Sequence, residues 1–296
     1  MDGSQISQIE IDQRIYELYD EYCHSTTMDR RAFIARAAVL VVGGAAMAQA
    51  LLPHYAKAQT ISFTDSRIKA TYVNYDSPGG SSGKMRGYLV TPSSPGKYGT
   101  VLVVHENRGL NPYIEDVARR CAADGFVALA PDGLFPVGGY TGNDDDGRAL
   151  QAKLEQPKLR TDMLNSAKFL KAHASSNGKL GVTGFCWGGG TTNWLATELG
   201  ADMQACVPYY GAAAETASVP KIKAPLLVQL AEDDKRINDM YPAYEAALKE
   251  AKVPYEIHSY PGTQHGFHNN STPRYHEASA KLSWERTIAH FKKHLA

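Results

Sequence analysis

The sequence predicts a single α/β domain built on a mostly parallel sheet with helices on both faces. Short runs rich in Val, Leu, Ala and Tyr alternate with longer helical stretches over residues 85–296. These runs are apolar throughout, which is typical of parallel strands that are buried on both faces. Residues 59–296 also show no internal repeat and no linker that would divide them.

The predicted elements follow one another in a regular order. A glycine-rich loop at residues 77–83 precedes the first predicted strand, and residues 92–99 join the first two strands in the manner of a hairpin. The first helix should end at Gly125, because a left-handed cap favours glycine, and residues 138–147 are predicted to form a loop. Strands are predicted over residues 85–91, 100–105, 126–130, 180–185, 205–210, 225–230 and 255–260. Helices are predicted over residues 112–124, 159–174, 189–199, 240–251 and 279–295.

Composition excludes several classes of function. The 296 residues include 31 basic and 31 acidic side chains, so the formal net charge is zero. A nucleic-acid-binding protein would need a basic excess to displace counterions, and none is present. The four cysteines form no CxxC or other zinc-ligand pattern. His105-Glu106 does not begin an HExxH motif, because position 109 is Gly. Neither a metal nor a cofactor is therefore expected.

Residues 1–58 differ from the rest of the chain. Apolar residues recur at helical spacing over residues 5–22, so a short amphipathic helix is predicted there. Farther along, Arg30-Arg31 precede an uncharged stretch of Ala, Val and Gly at residues 37–52. Paired arginines before a modest apolar stretch resemble a twin-arginine export signal.

Two small-residue sites could end such a signal. Ala56-Lys57-Ala58 is the preferred cleavage site, and Ala48-Gln49-Ala50 is the other. The leader is long, although Met28 offers an alternative start. This interpretation predicts a periplasmic protein that meets the twin-arginine export machinery and begins near Gln59. The alternative is a retained, buried helix of Ala and Val, which would leave the protein in the cytoplasm.

Residues 184–190 carry the strongest chemical signal. They read Gly-Phe-Cys-Trp-Gly-Gly-Gly, follow a predicted strand and precede a predicted helix. A sharp turn of this kind exposes one side chain, and glycines on both sides of it avoid steric clashes. The helix N-terminus also favours a thiolate and offers backbone N–H groups to an oxyanion. Cys186 is therefore the candidate nucleophile, although a buried structural cysteine is the alternative, and Cys121 and Cys206 are expected to be core thiols.

A nucleophilic thiol needs a base and an acid that orients the base. His265 follows the last predicted strand, where an open α/β sheet would place a base. His268 and His105 are its rivals. For the acid, Asp234 is preferred over Asp233, and both follow a predicted strand.

With these residues in view, residues 66–296 resemble the dienelactone hydrolase family, a cysteine-dependent branch of the α/β-hydrolase fold. The order Cys186, Asp234, His265 also agrees with the nucleophile–acid–histidine order of α/β-hydrolases. The motifs that carry the resemblance are residues 184–190, Glu232-Asp-Asp-Lys235, the stretch from Tyr260 to Phe267, the stretch from Val104 to Leu110, Asp116-Val117 and Pro131-Asp132.

The resemblance implies further roles for residues of the site. Glu106 would control protonation of the thiol until substrate arrives. The backbone N–H groups of Asn107 and Trp187 would form the oxyanion hole. The family holds a substrate carboxylate with arginines, one of them four positions after the catalytic histidine, where this chain has Asn269. Arg108 and Arg274 are the candidates to replace it, and Arg108 is the predicted substrate-binding residue.

The predicted function is hydrolysis of a small ester or lactone through a thioester on Cys186, without cofactor or metal. A broader carboxylesterase or peptidase on the same residues is an alternative. A non-catalytic binding protein of the same fold is another, and a thiol-redox protein would need a second cysteine near Cys186. Four aromatic side chains are expected either to line an apolar pocket or to lie in the core: Phe135, Tyr140, Trp187 and Phe267. The oligomeric state is not predicted.

Overall fold

The computed structural model describes residues 13–24, 28–45, 48 and 59–296. Contacts between residues divide the chain into two units, Met1–His54 and Tyr55–Ala296. The larger unit contains eight strands: β1 (Ile68–Ser77), β2 (Gly83–Pro92), β3 (Tyr98–Val104), β4 (Val127–Pro131), β5 (Ser176–Phe185), β6 (Ala205–Tyr209), β7 (Leu226–Asp233) and β8 (Tyr255–Gln264). The described α-helices are α1 (Gln13–His24), α2 (Arg30–Leu40), α3 (Pro112–Ala123), α4 (Asp144–Lys153), α5 (Gln156–Lys171), α6 (Trp187–Leu199), α7 (Lys235–Asn238), α8 (Tyr241–Glu250) and α9 (Glu277–Leu295).

The eight strands form one sheet in the order β1-β2-β4-β3-β5-β6-β7-β8. Strands β3 to β8 are parallel to one another, and β2 pairs antiparallel with β1 and β4. The prediction of an α/β-hydrolase fold, with a mostly parallel sheet and helices on both faces, is confirmed. Since the functional groups of such sheets collect at the carboxyl ends of the strands, the loops after β3 to β8 define where the site lies.

Strand β3 shows how the sheet is buried on both faces. Leu102 and Val104 belong to the apolar cluster on one face, which α5, α6 and α8 complete. Val101 and Val103 belong to the cluster on the opposite face, where α3 and α9 pack. Because successive side chains of a strand point to opposite faces, a continuous apolar run is required to fill both clusters.

The structure corrects two predictions about connections. The predicted hairpin between residues 85–91 and 100–105 is wrong, since β2 pairs with β1 and β4 and not with β3. The hairpin is formed one strand earlier, where Ser77 pairs with Gly83 across a tight turn. The predicted loop at residues 138–147 overlaps the first turn of α4, which Asn143 caps by accepting a hydrogen bond from the backbone N–H of Asp145 at 2.8 Å.

The smaller unit has its own apolar cluster. The rings of Tyr22 in α1 and Phe33 in α2 stack with their centroids 4.7 Å apart. Asp29 caps α2 by accepting a hydrogen bond from the Ala32 backbone N–H at 2.7 Å. The first part of the amphipathic helix predicted over residues 5–22 and most of the two predicted cleavage sites lie outside the described residues. In the part of the chain that is described, no helix combines the length and the apolar character that a membrane span requires.

Asp116 in α3 holds the start of the larger unit to the sheet domain. Its side chain is fully buried and accepts hydrogen bonds from the backbone N–H groups of Thr60 and Ile61 at 2.7 and 2.8 Å. It also pairs with Arg120 at 2.6 Å and Arg119 at 3.5 Å. One carboxylate thus pairs with two guanidinium groups, of which Arg119 also lies 3.9 Å from Glu115, and satisfies two backbone donors.

Replacing Asp116 with Ala is expected to lower the free energy of unfolding by roughly 3–5 kcal/mol, because the change removes the nearer anion from two largely buried guanidinium groups and the acceptor from two backbone N–H groups. Urea unfolding followed by circular dichroism would measure the loss. Asp76→Ala, at an exposed carboxylate in β1, is the matched control and should change the free energy by no more than about 0.5 kcal/mol. Equal losses in the two variants would contradict this account.

Candidate active site

The ends of five parallel strands bring the candidate residues together. Glu106 follows β3, Cys186 follows β5, Tyr210 follows β6, Asp234 follows β7, and His265 follows β8. Residues that are far apart in the chain therefore meet at one edge of the sheet. Four of these five were predicted from the sequence, whereas Tyr210 was assigned to a strand and was missed.

The turn between β5 and α6 has the strained geometry that the glycine pattern predicts. Cys186 has φ 56° and ψ −115°, and α6 begins at the next residue, Trp187. A Cβ atom on Gly184 would lie 2.2 Å from the Gly188 carbonyl oxygen, and one on Gly188 would lie 2.3 Å from the Val104 carbonyl oxygen. Only glycine fits at either position, and the thiol stays partly accessible at the tip of the turn.

His265 and Asp234 form a buried hydrogen-bonded pair. The imidazole Nδ1 donates to Asp234 Oδ2 at 2.6 Å, and both side chains are almost fully buried. Asp233, the alternative acid, is exposed. Burial by itself lowers the pKa of His265, but the negative charges of Cys186 and Asp234 and its hydrogen bonds to both outweigh burial and raise the pKa to about 9. The structure thus places Cys186, His265 and Asp234 in one interacting row.

The two rival histidines have structural partners. His105 Nδ1 bonds the Glu106 carbonyl oxygen at 2.5 Å, and its Nε2 accepts the Gly133 backbone N–H at 3.2 Å. His268 Nδ1 bonds the Tyr113 hydroxyl at 2.7 Å within the apolar cluster. Burial lowers the pKa of both imidazoles, which keeps them neutral.

Glu106 is buried beside the candidate nucleophile. Burial raises its pKa, nearby Arg108 opposes that shift, and the charge of Cys186 adds to it. Asn269 Nδ2 donates to Glu106 Oε2 at 3.1 Å. The amide orientation is determined by Ser271, whose backbone N–H and hydroxyl donate to Asn269 Oδ1 at 3.0 and 2.6 Å. The position where the family has an arginine therefore holds the glutamate with a neutral amide.

The candidate substrate-binding arginine is paired with a carboxylate. Arg108 Nη1 donates to Asp144 Oδ2 at 2.9 Å, and the Tyr140 hydroxyl donates to Asp144 Oδ1 at 2.9 Å. The missed helix α4 supplies that aspartate. Arg274, the other candidate, lies beside the loop of His265, since a Cβ atom on Gly266 would be 3.5 Å from its Nη2. A substrate role for either arginine stays a prediction.

The two predicted oxyanion-hole donors lie on segments that touch. Trp187 is the first residue of α6, a position whose backbone N–H has no acceptor within its own helix. The His105 and Trp187 rings stack with centroids 5.4 Å apart, so the start of α6 lies against the segment that leads into Asn107. Of the aromatic side chains considered for a pocket, Trp187 is half-buried and Phe267 is a fully buried core residue.

The other described thiols have a different environment from Cys186. Cys121 in α3 and Cys206 in β6 are fully buried, and burial raises the pKa of both thiols. Neither therefore forms a thiolate readily, in agreement with the prediction that they are core residues. Within residues 13–24, 28–45, 48 and 59–296, no group of three or more His, Cys, Asp or Glu side chains could hold a metal ion.

The raised pKa of His265 makes stability depend on pH. The imidazole is protonated up to a pKa of about 9 in the folded protein, whereas an unfolded histidine loses its proton near 6.5. Between these values the folded state binds the extra proton, so the stabilisation is fully present below pH 6.5 and is lost as pH rises through 9. Urea unfolding of the protein and of the His265→Gln variant from pH 6 to pH 10 should show the difference in free energy falling over this window. A pH-independent difference would contradict the assignment.

Comparison with known proteins agrees with the geometry. Residues 85–295 match the model of the dienelactone hydrolase family, and residues 4–42 match a second model described as YqhI-like. A "putative carboxymethylenebutenolidase" of Escherichia coli K12 is 31% identical over 245 residues, which cover 78% of this chain and 89% of that protein. A "putative hydrolase fragment YghX" of the same organism is 60% identical over 106 residues, covering 36% of this chain and 90% of the fragment.

Solved structures lead to the same conclusion. The crystal structure of a "putative dienelactone hydrolase" from Klebsiella pneumoniae superposes with a TM-score of 0.65 at 27% identity and covers 76% of this chain and all of that one. The family model spans most of the domain, including every residue of the candidate active site. This chain therefore belongs to the dienelactone hydrolase family and is a hydrolase of the α/β-hydrolase fold that acts on esters or lactones.

Proposed function

We propose that this hydrolase cleaves small, uncharged carboxylic esters or lactones through a thioester on Cys186. The observation that carries the proposal is the position of His265, which hydrogen bonds Asp234 at 2.6 Å and lies close enough to Cys186 for the charge of the sulfur to raise the pKa of the imidazole. An imidazolium held between a carboxylate and a sulfur favours the thiolate, which is the nucleophilic form of cysteine.

Acylation follows from this arrangement. The Cys186 thiolate attacks the carbonyl carbon, and the carbonyl π-electrons move onto oxygen to form a tetrahedral oxyanion. The backbone N–H groups of Asn107 and Trp187 stabilise that charge, and removing one such donor typically reduces kcat about 10²–10³-fold. When the intermediate collapses, the C–O bond breaks, and His265 gives its proton to the departing alkoxide.

Deacylation uses the same groups, but His265 now begins as a neutral base. Neutral His265 takes a proton from water, and the resulting hydroxide attacks the thioester carbon. Collapse of the second tetrahedral intermediate breaks the C–S bond, releases the carboxylic acid product and restores the thiolate beside the imidazolium. Asp234 orients the ring and stabilises its positive charge throughout.

The charges around the site support an uncharged substrate. Arg108 is paired with Asp144, and Arg148, which lies on the same helix as Asp144, is paired with Asp145. Asn269 offers an amide where the family has a cation. Burial raises the pKa of Glu106, and in its ionised form this carboxylate would repel an anionic substrate. The balance of charge on this side of Cys186 therefore provides no excess positive potential for a carboxylate.

Replacing Cys186 with Ala is expected to reduce kcat/KM for p-nitrophenyl acetate by roughly 10³-fold or more, because the covalent step is removed. Cys121→Ala, at a buried thiol, is the control and should stay within a few-fold of the parent protein. Iodoacetamide should alkylate Cys186 at pH 6 far faster than Cys121 or Cys206. Full activity in the Cys186→Ala variant would refute the proposal.

A substrate panel separates the related activities. We expect uncharged p-nitrophenyl esters and lactones to be hydrolysed at least tenfold more efficiently than p-nitrophenyl hemisuccinate, which carries a carboxylate. Aminoacyl amides in the same panel test for a peptidase. A preference for the anionic ester would instead favour Arg108 or Arg274 as a substrate anchor.

We also propose that residues 1–58 direct export through the twin-arginine machinery. Arg30 and Arg31 are both exposed at the start of α2, where a receptor could bind them. In a bacterial host with that machinery, the Arg30→Lys, Arg31→Lys double variant should stay in the cytoplasm. Arg36→Lys is the control variant and should leave export unchanged. Arg36 is exposed, pairs with Glu21 and is not part of the arginine pair. Periplasmic accumulation of the double variant would contradict the proposal.

A further inference from the structure

Cys186 has a structural counterpart on the neighbouring strand. Phe185 of β5 pairs in register with Tyr209 of β6, so Cys186 and Tyr210 are the next residues of two adjacent parallel strands. Both have positive φ, 56° for Cys186 and 33° for Tyr210. Among the described residues, Lys252 is the one other non-glycine residue with positive φ. A bulky side chain in this region of φ is strained, and such strain is concentrated at functional sites.

The surrounding backbone holds Tyr210 in this conformation. The Cys186 backbone N–H donates to the Tyr209 carbonyl oxygen at 3.1 Å, and the Tyr210 backbone N–H donates to the Gln229 carbonyl oxygen at 2.8 Å. The next residue, Gly211, packs so closely on α6 that a Cβ atom there would lie 2.2 Å from the Gly189 carbonyl carbon. The chain must therefore turn at Tyr210, and the turn directs its side chain away from the position that an extended strand would give it.

The Tyr210 ring lies at the candidate active site. Its centroid is 5.0 Å from that of His265 and 5.6 Å from that of Phe267. The side chain is fully buried, and Glu106 and Cys186 are among its electrostatic neighbours. The Tyr113 hydroxyl is another neighbour, which hydrogen bonds His268 Nδ1 at 2.7 Å and also lies close enough to the Tyr210 hydroxyl to accept a hydrogen bond from it.

The hydroxyl of Tyr210 has no well-aligned hydrogen-bond partner in the described parts of the chain. A buried hydroxyl without an acceptor is unfavourable, and buried polar groups in folded proteins are rarely left so. Burial and the nearby Tyr113 and Glu106 raise the pKa of Tyr210 well above its usual value, so the proton stays on the oxygen. The group can donate a hydrogen bond, but it is too weak an acid to transfer its proton.

We propose that Tyr210 is a further catalytic residue, whose hydroxyl donates a hydrogen bond to an oxygen of the substrate bound at Cys186. The inference rests on the proposed function, because it takes Cys186 as the point of attack. The substrate then supplies a better-aligned and more negative acceptor than the neutral Tyr113 hydroxyl. An oxygen that gains negative charge during acylation accepts a stronger hydrogen bond in the transition state than in the bound ester. Loss of this hydrogen bond should therefore lower kcat more than it changes KM.

The test compares Tyr210 with a second buried tyrosine, whose hydroxyl is hydrogen bonded away from the site. Tyr210→Phe removes the hydroxyl without removing the ring. Tyr209→Phe is the matched control, because the Tyr209 hydroxyl bonds the Thr287 hydroxyl at 2.6 Å on the other side of the aromatic cluster. We expect Tyr210→Phe to lower kcat for p-nitrophenyl acetate 10- to 100-fold with KM changed less than threefold. Tyr209→Phe should keep kcat within threefold of the parent protein.

A second measurement separates a contact with substrate from an effect on the thiol. The rate at which iodoacetamide alkylates Cys186 should be unchanged in Tyr210→Phe, which also verifies that the site is folded. An unchanged kcat in this variant would overturn the proposal, and so would alkylation that slows as much as hydrolysis. Failure of the proposed function has a different signature, since Cys186→Ala would then retain activity whatever the result at position 210.

Discussion

The start of helix α6 rests directly on the end of strand β3, with no side chain between the two backbones. At Gly188 a Cβ atom would lie 2.3 Å from one carbonyl oxygen of that strand end and 2.5 Å from the next. This approach places the helix N-terminus, and the thiol before it, beside the loop that carries Glu106 and Asn107. The strain at Cys186, the stacking of Trp187 on His105 and the proximity of Glu106 to sulfur all depend on it.

Burial determines what each ionisable group at the site can do. His265 and Glu106 are buried to a similar extent, and burial disfavours the charged form of both side chains. At His265 the charges of Asp234 and Cys186 outweigh burial and raise the pKa, whereas at Glu106 burial and the charge of Cys186 outweigh the opposing charges of Arg108 and His265. His105 and His268 have neutral hydrogen-bond partners and stay uncharged. The chemistry of the site thus follows from which buried groups lie next to a counter-charge.

The fold was largely readable from the amino-acid pattern, and the exceptions have identifiable causes. Strands β4 and β6 and most of β3 are continuous buried runs, because both of their faces are covered, whereas β8 at the edge of the sheet is only partly buried. Strand β1 was missed because one of its faces is largely exposed and its sequence is polar. A hairpin was wrongly predicted after β2, because closeness in sequence does not show which neighbouring strand pairs with each edge of β2. Helix α4 begins with Asn143 and three acidic residues, which is a recognisable capping signal, but its polar composition resembles a loop.

By itself, the sequence determined the fold class, the glycine-flanked turn at Cys186 and the positions of Asp234 and His265 directly after strands β7 and β8. These features are local, because a turn or a buried strand imposes its own residue types. The sequence also preferred His265 to His105 and His268, but the partners that occupy those two rivals emerged only from the tertiary structure. The same is true of the pairing of Arg108 with Asp144, the contact of Asn269 with Glu106 and the strained backbone of Tyr210. Each of these involves partners distant in the chain, and distances, burial and counter-charges arise only when the strands come together.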